Sequence, residues 1–202
     1  MRRILKKIST ALMTAVMVFA MTGCATYSAP TTDAFCTALD ELGYHQVQDA
    51  ANAKTVTEAL MSFAAFGGGG YLVMNYDDPY DMSITGHIRG CTSEVLCITE
   101  KGTRYLLLVF DNSENAKFYY DTMKNQVNDV YDKSGAFITK PGINAECYTF
   151  AGTYPSLFEE KYMYGGFYFK DNTVTIIDTY ENDITNKTQV NQLLDKLGLP
   201  RP

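Results

Sequence analysis

Residues 105–110 read YLLLVF, and this stretch decides the fold. Side chains alternate between the two faces of an extended strand. From Leu106 to Phe110 every side chain is apolar, so neither face of such a strand has a polar position. A strand with one solvated face shows polar and apolar residues in alternation instead. The stretch is therefore predicted to be a central strand covered on both faces.

A hairpin precedes this strand and a long helix follows it. Residues 92–99 form the partner strand, with a turn around Lys101-Gly102. Asp111-Asn112-Ser113-Glu114 has the composition of a helix cap. The helix behind it has one apolar stripe, made of Ala116, Tyr119, Tyr120, Met123, Val127 and Val130.

The other predicted elements are short strands grouped between helices. Helices are predicted at residues 33–42, with Thr32 as the cap and Gly43 at the end, and behind the capping box at residues 55–58. A C-terminal helix is predicted behind a cap at Asn186 and ends at Gly198. Strands are predicted at residues 45–48, 71–75, 147–151, 162–170 and 173–178. Strands that arrive as hairpins predict an α+β fold with a mainly antiparallel sheet and about four helices packed largely on one face. Residues 33–202 are expected to form this single domain.

The first 24 residues, MRRILKKISTALMTAVMVFAMTGC, have a different character. A basic segment ending at Lys7 precedes an uncharged stretch that runs to Gly23. A membrane-spanning helix needs roughly 20 apolar residues, and this apolar core is shorter. A basic start, a short apolar core and small residues at the end are typical of a secretory signal peptide.

The segment ends Met21-Thr22-Gly23-Cys24, which resembles the lipobox of bacterial lipoproteins, with Met21 in place of the usual Leu. The resemblance implies a signal peptide at residues 1–23, cleavage before Cys24, and lipid on its thiol and new amine. Two acyl chains anchor a protein stably, whereas one does not. Residues 24–32 would then be a lipidated tether at the extracytoplasmic face of the cell membrane. The alternatives are a secreted protein cut nearby or an uncleaved anchor.

The rest of the chain is similar to small uncharacterised bacterial lipoproteins and membrane-anchored domains. That family has no assigned activity, so the resemblance implies fold and location only. The residues that carry it are Phe35, Leu39, Gly43 and Tyr44; Phe110, Asp111 and Ala116; Asn172 and Thr173; and Leu194, Leu197 and Gly198.

The charge balance excludes one class of partner. Residues 1–23 hold four of the 17 basic residues and none of the 23 acidic residues, which leaves a net charge of −10 on the remainder. Nucleic acid requires a basic surface, so we expect no nucleic-acid partner.

Four cysteines besides Cys24 are candidate disulfide partners: Cys36, Cys91, Cys97 and Cys147. Outside the cytoplasm they permit three pairings. A thiol enzyme would need a base such as His87, and a zinc site would join His87 to three of these cysteines. Neither has the expected sequence context or short ligand spacing. We therefore predict no catalytic, metal or cofactor residues.

An acidic loop offers a further candidate metal site. Asn75, Asp77, Asp78 and Asp81 have oxygen ligands that suit Ca²⁺. The spacing of an EF-hand is absent and Pro79 lies among them, so a solvated loop is the preferred interpretation.

Residues 162–170 predict a candidate partner surface. Met163, Phe167 and Phe169 should face the core, and Tyr162, Tyr164 and Tyr168 should share the opposite face. Tyrosine has an apolar ring with a polar tip and is enriched at protein interfaces. The alternative is that a helix covers these tyrosines.

The leading hypothesis is a membrane-anchored lipoprotein acting as a non-enzymatic binding module, with the membrane and an envelope or membrane protein as partners. An extracytoplasmic enzyme with an unrecognised site is one alternative. An accessory subunit of a membrane transporter or sensor is the other.

Overall fold

The computed structural model describes residues 27–47, 69–76, 82–83, 86–131, 137–142, 145–155, 160–180 and 183–202. The described helices are α1 (Thr32–Glu41), α2 (Ser113–Tyr131) and α3 (Ile184–Lys196). None of these helices is long and apolar enough to cross a membrane. The strands are β1 (His45–Gln46), β2 (Gly70–Asn75), β3 (Met82–Ser83), β4 (Gly86–His87), β5 (Cys91–Ile98), β6 (Arg104–Phe110), β7 (Phe137–Gly142), β8 (Ala145–Pro155), β9 (Glu160–Lys170) and β10 (Thr173–Thr179).

The structure is α+β, and its main sheet is mixed. The strand order is β1-β2-β5-β6-β10-β9-β8-β7, with β3 and β4 in a separate ribbon. β1 runs parallel to β2, while every later pair in the main sheet is antiparallel. Two neighbouring pairs, β2 with β5 and β6 with β10, are not consecutive along the chain. The prediction of a mainly antiparallel sheet of hairpins is therefore wrong.

The prediction of a doubly covered central strand is confirmed. β6 is fourth in the strand order, and its residues Tyr105 to Leu108 are at most 1% exposed. Leu106 and Leu108 belong to the core under α2, whereas Tyr105 and Leu107 belong to the core under α1 and α3. The alternation of a strand thus divides one apolar run between two cores.

The helices cover both faces of the sheet. The core under α2 includes Ala116 and Tyr120, and the opposite core includes Phe35 from α1 and Leu193 from α3. The prediction of about four helices largely on one face is therefore wrong. Three helices are present in the described residues, and the helix predicted behind residues 55–58 lies outside them.

The ends of two helices follow their local sequence closely. Thr31 caps α1 by accepting a hydrogen bond from the Ala34 amide, one residue before the predicted cap. Gly43 and Gly198 end α1 and α3 with φ of +89° and +65°, as their sequence predicted. Asp183, not Asn186, caps α3, because its carboxylate accepts from the Thr185 amide at 2.6 Å.

Two features of the sheet have no counterpart in the sequence prediction. β7 includes Pro141, which lacks an amide donor and is tolerated because β7 is an edge strand. The β3–β4 ribbon lies in a stretch for which no strand was predicted. Both depend on pairing with a neighbouring strand, which local composition does not report.

Gly165 allows β9 to lie close to β10, and its replacement tests this packing. Its φ is +142°, and an added Cβ would lie 2.0 Å from the carbonyl oxygen of Ile177. We expect Gly165→Ala to lower the free energy of unfolding by about 3 kcal/mol, from backbone strain and overpacking. Urea denaturation followed by circular dichroism measures the change.

Gly69→Ala is the matched control, because a Cβ at that position would meet no atom within 4 Å. If both substitutions shift the urea midpoint equally, the close approach at Gly165 does not limit stability.

Candidate functional site

The described cysteines do not pair with one another. Cys36, Cys91 and Cys97 are free thiols, so no disulfide joins any two of the four candidates. Cys147 is fully buried in β8 and is not among the free thiols. Cys24, the predicted lipid attachment site, lies outside the described residues.

Burial makes two of these thiols poor nucleophiles. Cys91 is 2% exposed and Cys97 is fully buried. Desolvation raises the pKa of each thiol to about 12, with the charge of Glu94 adding to the shift at Cys91. A reactive cysteine needs a lowered pKa, because the thiolate is the nucleophile. This environment argues against the thiol-enzyme alternative at Cys91.

The other candidates for a metal ligand or a catalytic base either lie on separate elements or fall outside the described residues. His45 is exposed, with its Nδ1 3.4 Å from the Asp40 carboxylate. His87 lies in β4, and Asn75 ends β2. Asp77, Asp78 and Asp81 lie outside the described residues. Where the structure describes the chain, no group of three or more His, Cys, Asp or Glu residues could hold a metal ion.

The three tyrosines of the predicted partner surface have different environments. Tyr168 is 1% exposed and its hydroxyl donates to the carbonyl oxygen of Pro200 at 2.7 Å, so it belongs to the core. Tyr164 is half-buried and donates to Asn191 of α3 at 2.8 Å. Tyr162 is half-buried, and the ammonium of Lys187 lies 4.2 Å from its ring centroid. A helix therefore covers part of this face, and Tyr162 and Tyr164 remain accessible.

Tyr162 and Tyr164 lie at the end of the sheet that carries the turn at residues 99–103, and we call this end the Lys101 end. Further apolar side chains are exposed there. Lys101 reaches from this turn to the α3 cap, with its Nζ 3.3 Å from the Asp183 carboxylate. The exposed residues are Ile98 at the end of β5, Tyr180 after β10 and Ile184 at the start of α3, with exposed fractions of 39, 42 and 76%. Exposed apolar groups beside accessible tyrosines are the composition of an interaction surface.

An ion pair within the sheet was not predicted. Arg104 donates to both carboxylate oxygens of Asp178, at 3.0 and 2.6 Å, and the Asp178 side chain is fully buried. Burial alone would lower the pKa of Arg104, but the charge of Asp178 raises it above its usual value. The two residues are paired across β6 and β10. Because they are far apart along the chain, no local pattern indicated the pair.

A pocket of about 400 Å³ lies at the opposite end of the sheet. Lys117, half-buried in its wall, is 2.8 Å from Asp121 and 3.1 Å from Glu146. Burial would lower the pKa of Lys117, but hydrogen bonds to these two carboxylates raise it. The wall therefore has paired charges of both signs beside the apolar ring of Phe169. The complete lining is Ser113, Glu114, Lys117, Gly142, Ala145, Glu146 and Phe169.

Tyr27 docks beside this pocket, and we call this end of the sheet the Tyr27 end. The Tyr27 side chain is 7% exposed, and its hydroxyl lies within hydrogen-bonding distance of two carbonyl oxygens, that of Glu146 at 2.9 Å and that of Phe169. Its ring packs edge-on against Tyr168, with centroids 6.2 Å apart. Pro30 is also buried. Tyr27 and Pro30, within the predicted tether, therefore pack on the domain.

The buried thiols predict a loss of stability in alkaline solution. Their pKa is about 9 when unfolded and about 12 when folded, so stability is complete below pH 9 and falls as pH rises towards 12. We expect about 1 kcal/mol of unfolding free energy to be lost per thiol between pH 9 and 10, because the unfolded thiol ionises over this range and the folded one does not. Urea denaturation between pH 9 and 10 measures this slope.

Cys91→Ala and Cys97→Ala should each reduce the loss of unfolding free energy with pH by the amount that one thiol contributes. Ser93→Ala, on the same strand, should leave the slope unchanged. Identical slopes in all four proteins would contradict the prediction.

The comparisons with known proteins assign no family to this chain. No family model matches it, and no curated protein matches it. A solved structure described as a GTP binding regulator from Thermotoga maritima superimposes with a TM-score of 0.31 at 13% sequence identity. The match covers 64% of this chain and 77% of the other, and a similarity at this level supports no conclusion about fold or function.

Proposed function

We propose that the protein is an extracytoplasmic lipoprotein, held in the cell membrane by lipid on Cys24, whose domain is a non-enzymatic binding module. The observation that carries the proposal is the pattern of residues 1–24, in which a basic segment and a short apolar core end at Met-Thr-Gly-Cys. Tyr27, three residues after Cys24, is docked on the domain, so an anchor at Cys24 would hold the domain close to the membrane.

The Lys101 end supports the binding role. Ile184 and Lys187 are three residues apart on α3, so they share a helix face, and Lys187 stacks on Tyr162. Tyrosines and exposed aliphatic groups surrounded by charges match the apolar core and polar rim of a protein interface. We propose an envelope or membrane protein as the partner. An accessory role in a transporter or sensor would use this same surface.

The anchor is tested by Cys24→Ser. We expect wild-type protein to incorporate labelled fatty acid and to fractionate with membranes, and Cys24→Ser to lose the label completely, because the serine hydroxyl does not take the lipid that the Cys24 thiol takes. Metabolic labelling followed by gel fluorography measures the incorporation.

Cys36→Ser is the matched control and should keep the label, because Cys36 is a thiol within the folded domain. Non-reducing peptide mapping tests whether Cys24 forms a disulfide instead of carrying lipid. Recovery of Cys24 in a disulfide with Cys147, in protein without label, would refute the lipoprotein assignment.

The partner surface is tested by a photo-crosslinking amino acid at Ile184. We expect one dominant adduct in native membranes, because Ile184 is 76% exposed beside the Tyr162–Lys187 stack. Lys187→Glu should weaken this adduct by reversing the charge over the ring. Gel shift and mass spectrometry identify the adduct.

The same amino acid at Phe118, which is 72% exposed on α2, is the control and should give no such adduct. Equal adducts at both positions would show that the interaction is not specific to the Lys101 end. The absence of an adduct at Ile184 would contradict the proposed partner surface.

A further inference from the structure

The way the chain enters the domain determines how the domain is oriented at the bilayer. The Tyr27 hydroxyl meets carbonyl oxygens of Glu146 in β8 and Phe169 in β9, two residues that are paired with each other in the sheet. Its ring is buried against Tyr168, whose own hydroxyl is bound to the carbonyl oxygen of Pro200. A buried aromatic ring with a bound hydroxyl is held much more firmly than an exposed linker residue.

Only Ala25 and Thr26 separate Cys24 from this docked residue. Three steps of 3.8 Å between consecutive Cα atoms span at most about 11 Å. A lipid on Cys24 therefore keeps the Tyr27 end at the level of the headgroups. A nine-residue tether would have reached about 30 Å and imposed no orientation.

The Lys101 end is on the other side of the domain. β6 runs from Arg104 at that end to Phe110 at the Tyr27 end, a distance of about 20 Å at ~3.3 Å per residue. Because Tyr27 must stay within about 11 Å of an anchor at Cys24, the Tyr27 end lies closer to the bilayer than the Lys101 end.

We propose, resting on lipidation at Cys24, that the Tyr27 end is a membrane-facing surface that contacts lipid headgroups, and that the Lys101 end faces away from the bilayer. The chemistry of the Tyr27 end suits a headgroup layer. Lys117 is paired with Glu146, and Lys170 lies 3.9 Å from the Asp171 carboxylate, so this surface has charges of both signs. The pocket lined by Lys117, Glu146 and Phe169 opens at this surface.

The orientation is measured with two fluorophore positions on the full-length lipidated protein in phosphatidylcholine vesicles. Ser113→Cys places the label at the Tyr27 end and Glu100→Cys places it at the Lys101 end, and both positions are exposed. Cys36→Ser in the background removes the accessible thiol of the domain. With nitroxide-labelled headgroup lipids, we expect quenching at position 113 to exceed that at position 100 by about threefold or more, because ~20 Å separates the ends.

A second variant keeps the docking of Tyr27 intact and lengthens only the chain between Cys24 and Tyr27. Ten Gly and Ser residues inserted between Thr26 and Tyr27 should bring the quenching ratio towards one without changing the urea midpoint. Tyr27→Ala should reduce the ratio as well, by releasing residues 27–31.

The outcomes separate this proposal from the one on which it rests. If wild-type protein does not float with vesicles and has no fatty acid, the lipoprotein assignment fails. If the protein has lipid and floats, but quenching at the two positions is equal or reversed, the orientation proposal alone is overturned.

Discussion

The burial of both faces of β6 is the constraint on which the rest of the structure depends. Its apolar side chains are divided between two cores, so stability requires cover on each side of the sheet. α2 supplies one cover, and α1 with α3 supplies the other. α1 precedes β6 along the chain, whereas α2 and α3 follow it, and the sheet pairs β6 with the distant β10. Exposing either face would cost about 25 cal/mol for each Å² of apolar surface.

The same sheet separates two surfaces that serve different purposes in the proposed function. The start of the domain docks at the Tyr27 end, beside a pocket with paired charges. The exposed apolar side chains and the lysine–tyrosine stack lie at the Lys101 end. In the proposed function, attachment at the Tyr27 end leaves the Lys101 end available to a partner. The buried Arg104–Asp178 pair ties β6 to β10 close to that free end, and removing one of the two charges would leave the other buried and unpaired.

Local sequence signals predicted local features well. Gly43 and Gly198 end their helices because glycine tolerates positive φ, and alternation in residues 162–170 correctly placed Phe167 and Phe169 in the core. The same alternation grouped Tyr162 with Tyr168, but it does not report how far α3 extends over that face. The pocket was missed, because Glu146 and Lys117 come together only through packing of α2 on β8 and β9.

Most of the elements, the doubly buried strand and the pattern of residues 1–24 followed from the sequence alone, because each depends on side-chain periodicity or composition within a short window. The tertiary structure alone decided the parallel β1–β2 pair, the two-sided helix cover, the Arg104–Asp178 pair and the docking of Tyr27. Each of these joins residues distant along the chain. Their free energy comes from groups that meet only after the sheet has formed, so no local pattern encodes it.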